Sequence, residues 1–395
     1  MKRVAVIGAG AAGCFCAATL RERAPELSVT VFEAGEKPLA KVAVTGGGRC
    51  NLTNSFEGIR SLKEAYPRGE RVMQRALKVF SQEDTIRWFA RHGVPCVLQE
   101  DHCWFPESQD ARDVVRALLR AMKGADIKPH TPASLSLDSA GALLVNGAPF
   151  DFVLVSAGGA KDFSFLREMA LEIVPPVPSL FTFTVPDATL RSLMGLVVDA
   201  AIGLQGTSFK AEGPLLITDW GLSGPAAIKL SSYAARHLAE AGYKGTLAVN
   251  WLNASEATAR EWLQKSAAVH PQKLVSSIHP VQQRLWEHLL RKAACREDLR
   301  WAELGSKGLN RLAAVLTNDS YPLAGKSRFR DEFVTAGGVA LSNINLATLE
   351  SKRHPGLFFA GEVLDIDAIT GGFNLQAAWS TGFVCAQTIA KKAYE

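Results

Sequence analysis

Gly8-Ala9-Gly10-Ala11-Ala12-Gly13 closes a short apolar run, Arg3 to Ile7, and opens a helix-like stretch that reaches about Arg23. Strand, glycine turn and helix in that order make a phosphate-binding device. Gly8 permits the tight turn, Gly10 lets a pyrophosphate approach the backbone and Gly13 lets the helix pack on the strand, while the helix N-terminus, with Ala11 and Ala12, faces the phosphates. A lone fingerprint of this kind says little. Here a second strand, Ser28 to Phe32, runs into Glu33-Ala34, and the acid stands twenty residues beyond Gly13. A carboxylate at that place takes ribose hydroxyls and repels a 2′-phosphate, so the site suits an unphosphorylated adenosine, as in FAD or NAD.

The next residues separate those two cofactors. EAGEKPLAKVAVTGGGRCNLTN holds a glycine triplet, Gly46-Gly47-Gly48, preceded by Thr45 and followed by Arg49, Cys50 and Asn51. Three glycines in a row leave backbone N–H groups unshielded along a long cofactor, and Lys41 and Arg49 supply positive charge for its phosphates. The plain alternative for such a triplet is a flexible surface loop. Two further apolar strands end in small residues: Phe150 to Gly159 closes in Ala157-Gly158-Gly159, and Gly356 to Ala360 runs into Gly361-Glu362-Val363-Leu364-Asp365. Glu362 and Asp365 are the carboxylates suited to a ribityl chain. Gly371-Gly372 then open a long amphipathic stretch whose first residues include Asn374, Leu375 and Gln376. Its positive end, worth about 0.3–1 kcal/mol to a nearby anion, suits the edge of a reduced flavin. Strand ends drawn from near positions 7, 157 and 361 converge only on one parallel sheet, an arrangement that belongs to FAD and not to a chain with a single NAD unit.

Taken together, GAGAAG, VTGGGRCNLTN, GPLLITDWGLSGPAAIKLS, VTAGGVALSNINLATLESK and GLFFAGEVLDIDAITGGFNLQAAWSTG resemble the bacterial HI0933-like FAD-dependent flavoproteins over most of the chain. The resemblance implies an α/β protein with a discontinuous Rossmann-like FAD-binding domain of the two-dinucleotide-binding flavoprotein type, similar to that of fumarate reductase flavoprotein subunits, and inserted β-barrel-like and helical domains. The residue pattern supports that division. Short β-rich runs separated by Gly and Pro fill Leu180 to Trp251, and Leu, Trp and Ala at three- and four-residue spacing mark helices over Val281 to Cys295 and Arg300 to Leu316. A β pattern resumes near Phe333. The expected boundaries are 1–178 with 335–395 for the FAD-binding domain, 179–254 with 319–334 for the barrel-like domain and 255–318 for the helical insertion. Trp262, Trp286 and Trp301 read as core of that insertion rather than as platforms for nucleic-acid bases.

Composition closes off other classes. The 395 residues carry 44 Lys and Arg against 39 Asp and Glu, a net charge of +5, too mild for a nucleic-acid signature. The basic stretches, Arg60 to Lys78 and Arg284 to Arg311, are interrupted by acids and read as solvated helix faces. Glycines break the apolar N-terminal run where a cleavable signal would be continuous, so Met1 reads as a cytoplasmic start. No uninterrupted apolar run of about 18 residues exists, so a soluble protein without a membrane partner is expected. Seven cysteines show no Cys-x-x-Cys and no zinc spacing, which argues against metal and against the disulfide-reductase flavoenzymes. Cys50 reads as a small packed residue rather than a redox thiol.

FAD carries the hydride chemistry itself. With one dinucleotide fingerprint visible, NAD(P)H as a donor binds only transiently. The family resemblance implies reductases of activated C=C bonds, in steroid-like enones or in a uridine of ribosomal RNA, and an amine-oxidising branch that passes electrons to O2. The expected function is NAD(P)H-linked reduction of an activated C=C bond in a small molecule; the alternatives are an RNA-modifying flavoenzyme that makes dihydrouridine in rRNA, with RNA as partner, and an amine oxidase. No His stands in the triplet loop, so FAD is expected to be non-covalent. Arg49, Asp219 and Asp367 are candidate catalytic groups, and no catalytic acid is assigned.

Overall fold

Strand β1 (Arg3–Ile7), helix α1 (Ala11–Arg23) and strand β2 (Ser28–Phe32) form where the spacing placed them in a computed structural model, which describes residues 1–160, 162–326 and 334–395. With β3 (Asp126–Lys128), β4 (Phe152–Val155) and β5 (Leu357–Phe359) they make one sheet in the order β5-β4-β1-β2-β3, every pair parallel. The four residues of β4 are all buried, which explains its continuous apolar run: a parallel sheet covered on both faces has no solvent side to alternate with. Register then decides the site. Ile7 stands opposite both Phe32 and Val155, Val155 opposite Phe359, and Phe32 opposite Lys128, so all five strands end in one row.

The long C-terminal helix, α2 (Phe373–Tyr394), packs on α1 with little between the backbones, because a Cβ on Gly382 would lie 2.6 Å from the Ala12 carbonyl oxygen. Phe15, Trp88, Phe89 and Trp379 form an aromatic cluster beneath that contact, with centroids 4.8–6.3 Å apart. Such offset and edge contacts add to plain area burial.

The chain divides into two compact units, Met1–Val177 with Val334–Glu395, and Pro178–Phe333. In the second unit an antiparallel sheet takes the order Asp319–Leu323, Gly245–Asn250, Val197–Leu204, Lys210–Ile217, Gly221–Ser223, Phe183–Thr184, Gly325–Lys326. Its two edge strands are consecutive in sequence, separated only by Ala324. One chain segment therefore pairs with both ends of the sheet and closes it into a barrel-like form, which removes exposed edges. Helices Glu256–Val269, Gln283–Lys292 and Gly305–Thr317 share one hydrophobic core with this sheet: Leu247, Val249 and Tyr321 belong to the same cluster as Leu263, Trp286 and Leu312. Trp286 and Trp301 are buried, and Trp262 meets both edge-on at about 6 Å, so these rings are core. Phe333, where the β pattern was expected to resume, lies outside the described residues; the strand that follows it is Val334–Val339.

Candidate functional site

The row of strand ends continues into Gly8 after β1, Glu33 after β2, Ser156-Ala157-Gly158-Gly159 after β4 and Ala360-Gly361-Glu362 after β5. Residues far apart in sequence thereby share one sheet edge, where open α/β sheets bind ligands. Gly8 has φ +101°, donates its N–H to the Phe32 carbonyl at 2.8 Å, and leaves no room for a Cβ, which would sit 2.6 Å from the Ser156 carbonyl oxygen. A Cβ on Gly13 would come within 2.1 Å of the Gly8 carbonyl oxygen. At Gly10 the same test finds nothing within 4 Å. Two glycines of the fingerprint are thus demanded by packing, and the third bares backbone toward open space. The sequence pattern does not mark Ser156, whose hydroxyl lies 3.1 and 3.0 Å from the Ile7 and Gly8 carbonyl oxygens and ties β4 to the turn. A buried serine at a strand end carries no signal of that role.

Glu33 is held rather than free: its carboxylate accepts the Ala9 N–H at 2.9 Å and the Gly35 N–H at 2.7 Å, with Ala34 exposed beside it. The same charge, after burial itself, helps keep the Cys14 thiol protonated.

The triplet follows a helical turn. Ala40–Gly48 leaves helical geometry at Thr45 (ψ 148°), and Gly46, Gly47 and Gly48 take φ of 59°, 68° and 85°. Gly47 and Gly48 face open space. The loop closes on itself through the Cys50 N–H to the Thr45 carbonyl at 3.0 Å, while the exposed Arg49 donates to the Gly46 carbonyl at 3.2 Å and lies 4.6 Å from the Phe105 ring centre. Cys50 has no exposed surface and φ of 62°; burial pushes its thiol up to about 12, so the side chain packs inside the loop and is no reactive thiolate.

Lys41 and Glu362 both border Gly158, whose absent Cβ would be 4.0 Å from the Lys41 Nζ and 3.7 Å from the Glu362 Oε2. At Gly159 a side chain would collide with Thr335 at 2.6 Å and with Glu362 Oε1 at 2.8 Å. Glu362 Oε1 also accepts the Thr335 N–H at 2.8 Å. Thr335 belongs to VTAGGV, a further small-residue strand whose pattern could have flagged it. Gly361 donates its N–H to the Thr381 hydroxyl at 2.9 Å, and the half-buried Asp365 donates its N–H to the Val339 carbonyl at 3.0 Å.

The start of α2 is fastened to the triplet loop's downstream strand. A Cβ on Gly372 would lie 2.5 Å from Asn51 Oδ1 and 2.6 Å from Thr53, and the Asn54 amide donates to the Gly371 carbonyl at 3.0 Å. Leu375 is half-buried there. The side chains of two of these residues are engaged within the fold. Gln376 is fully buried: its carbonyl oxygen accepts the Thr53 and Thr85 hydroxyls at 2.6 and 2.9 Å, and its nitrogen donates to the Ser380 hydroxyl at 2.9 Å, so its side chain serves the fold. The Asn374 amide likewise braces the preceding loop, bonding the N–H and carbonyl of Ala368 at 3.0 Å each. Of the catalytic candidates, Asp367 is fully buried and paired with Arg68, and Asp219 is an exposed bend residue of the second unit. Arg49 alone is an exposed cation of the triplet loop.

The donor set is chemically consistent: open backbone at Gly10, Gly47 and Gly48, two cations, and carboxylates at two strand ends, as an extended dinucleotide needs. The profile of the HI0933-like protein Rossmann domain matches residues 2–388. The chain belongs to that family. It is an FAD-dependent oxidoreductase. Relatives similar to it over nearly their whole length include a 3-dehydro-bile acid delta(4,6)-reductase of Clostridium scindens, 28% identical over 418 residues that cover 99% of this chain and 100% of that one. The ribosomal RNA dihydrouridine synthase of Escherichia coli is 28% identical over 409 residues, 97% of each chain. That of Haemophilus influenzae is 28% identical over 411 residues, 98% of each. Among the described residues, no helix is long and apolar enough to cross a membrane.

Proposed function

We propose that the protein reduces an activated C=C bond of a small molecule, with NAD(P)H as transient donor and FAD held without a covalent link. The observation that carries this reading is the aligned row of strand ends, where a fixed carboxylate and bared glycine backbone stand together; similarity to the 3-dehydro-bile acid delta(4,6)-reductase supports the substrate class. FAD, when bound, supplies the hydride transfer. Gly10 and the N–H groups that open α1 would hold the pyrophosphate, Glu33 a ribose, and Gly46 to Gly48 with Lys41 and Arg49 the rest of the phosphate and sugar run. Glu362 and Asp365 would take the polyol, and the positive end of α2, with Gly371 and Gly372 before it and Asn374 and Leu375 in its first turn, an anionic ring edge. Thr45, Asn51, Ala157, Gly158 and Gly159 shape the walls of that run. The chain has one dinucleotide fingerprint, so the nicotinamide donor visits rather than resides, and a cytoplasmic location goes with such a donor.

Anaerobic mixing of the yellow protein with NADH and then NADPH, followed at the flavin absorbance band and then by readmitting air, tests the reading. Bleaching by either nucleotide and reoxidation by an enone is the expected result. A flavin that neither nucleotide bleaches, and that amines bleach instead, would sink it in favour of an oxidase. Acid precipitation should leave all yellow colour in the supernatant.

One observation favours a second reading, reduction of a uridine in ribosomal RNA. Residues 255–318 carry ten Lys and Arg against six Asp and Glu, so four of the chain's net five charges fall in the helical segment. RNA held there would dissociate steeply with rising salt, because each phosphate contact releases counterions; retention indifferent to salt removes this reading.

A further inference from the structure

The loop from Gly361 to Gly372 supplies candidate cofactor contacts at Gly361, Glu362, Asp365, Gly371 and Gly372, yet it also buries one charge that the cofactor reading does not use. Asp367 has no exposed surface, and both its carboxylate oxygens pair with Arg68, Nε to Oδ1 and Nη2 to Oδ2. The Arg68 side chain is itself only 11% exposed. The two backbones pair through an antiparallel bridge. Three more contacts join the same segments. The Ile369 N–H donates to the Ala65 carbonyl at 2.9 Å, the Tyr66 hydroxyl donates to the Phe373 carbonyl at 2.9 Å, and a Cβ on Gly69 would lie 2.6 Å from Ile366. Residues 65–69 therefore grip the loop along 366–373.

Stability alone is a poor reason for that charge. Replacing a buried ion pair by apolar residues of similar volume commonly leaves a protein as stable or more so, because desolvation offsets the Coulombic attraction. A planar guanidinium fork offers something else: two parallel hydrogen bonds fix the mutual orientation of the groups they join. The loop needs such a constraint, since Gly361, Gly371 and Gly372 all have positive φ and large conformational freedom when unbound.

We propose that Arg68 and Asp367 are a positioning pair that holds the 361–372 loop in its cofactor-binding shape, so that the pair acts on FAD affinity rather than on fold stability. The proposal rests on the cofactor assignment of the preceding section.

The test titrates FAD into apoprotein, following quenching of flavin fluorescence, and records apoprotein melting and the visible circular dichroism of bound flavin. Arg68→Lys keeps the charge and loses the fork. It should raise the Kd for FAD about tenfold or more and alter the flavin dichroism. The double variant Arg68→Met with Asp367→Leu should melt at or above the wild-type temperature and still bind FAD about tenfold or more weakly. A double variant that regains wild-type affinity together with wild-type melting would reduce the pair to packing and overturn the proposal. If the double variant does not fold, R68K decides by itself, and an unchanged Kd overturns the proposal. Wild-type apoprotein that takes up no FAD would instead refute the cofactor assignment, an outcome read before any variant is made.

Discussion

At the carboxyl edge of the parallel sheet glycine bares backbone N–H groups, whereas in the second unit a set of polar side chains closes inside a core. There Asp319, 3% exposed, accepts from the Trp251 indole at 2.9 Å and from the Tyr321 hydroxyl at 2.5 Å, and is paired with Lys292, while His288 Nε2 lies 3.2 Å from the Tyr321 oxygen. The first arrangement leaves donors free for a ligand. The second pairs its side chains with one another and ties helix Gln283–Lys292 to the sheet. A binding edge and a structural network use the same hydrogen-bond chemistry; what separates them is whether the protein supplies all the partners.

Substitutions that break this contrast are expected to differ in size. The largest effect belongs to Gly13→Ala, where a methyl group would stand 2.1 Å from the Gly8 carbonyl oxygen and backbone must move. It should cost more than about 4 kcal/mol, beyond the usual range for single changes, and yield little soluble yellow protein; full flavin content with unchanged melting would contradict the packing account. Next, Asp319→Ala breaks the pair with Lys292 and leaves the buried Trp251 indole and Tyr321 hydroxyl without their acceptor, and should destabilise the second unit by about 3–5 kcal/mol. Urea unfolding reads this, with FAD affinity of the folded protein staying within about twofold of wild type. A large loss of FAD affinity without loss of stability would erase the distinction between the two regions.

The contrast also has a pH signature. Burial lowers the His288 pKa below its ordinary 6.5, so the folded state holds the neutral ring while the unfolded chain takes up a proton near that value. Stability from this group is complete above the unfolded pKa and is lost as pH falls below it toward the folded one, by at most about 1.4 kcal/mol per pH unit. Melting measured from pH 7 to pH 5 should fall in wild type and fall less in His288→Gln; equal slopes would remove His288 from the explanation. The smallest effect on folding is expected of Gly10→Ala, because its φ of −82° suits any residue and nothing lies within 4 Å of the added methyl. Stability should change by less than about 1 kcal/mol, while FAD binding weakens about tenfold. A variant that binds FAD normally would show that the open face at Gly10 is not used.

Much of the first unit was legible. Arg3–Ile7, Ser28–Phe32 and the helix ending at Arg23 lie where the β-branched runs and glycine spacing put them, because both signals are local. Edge strand β3 gave no such signal: Asp126-Ile127-Lys128 is polar and largely exposed, and only its pairing with β2 makes it a strand. In the second unit the stretch GPLLITDWGLSGPAAIKLS was read within a β-rich region, yet helix Gly224–Tyr233 starts inside it, since Pro225 fits the first turn of a helix as well as a loop. The expected helix from Arg300 to Leu316 is broken after Glu303 and begins again at Gly305. Apolar spacing alone does not locate such a break.

The sequence by itself determined the dinucleotide turns, because a missing Cβ acts on its own backbone and its immediate neighbours. It also determined the family, through several separated motifs in one order. Tertiary structure alone decided which polar residues face outward. Asp367 meets an arginine 299 positions away, and Gln376 meets Thr53 across 323. Nothing in the local spacing of either residue records its partner, and burial with a partner is what turns a candidate ligand into a structural group.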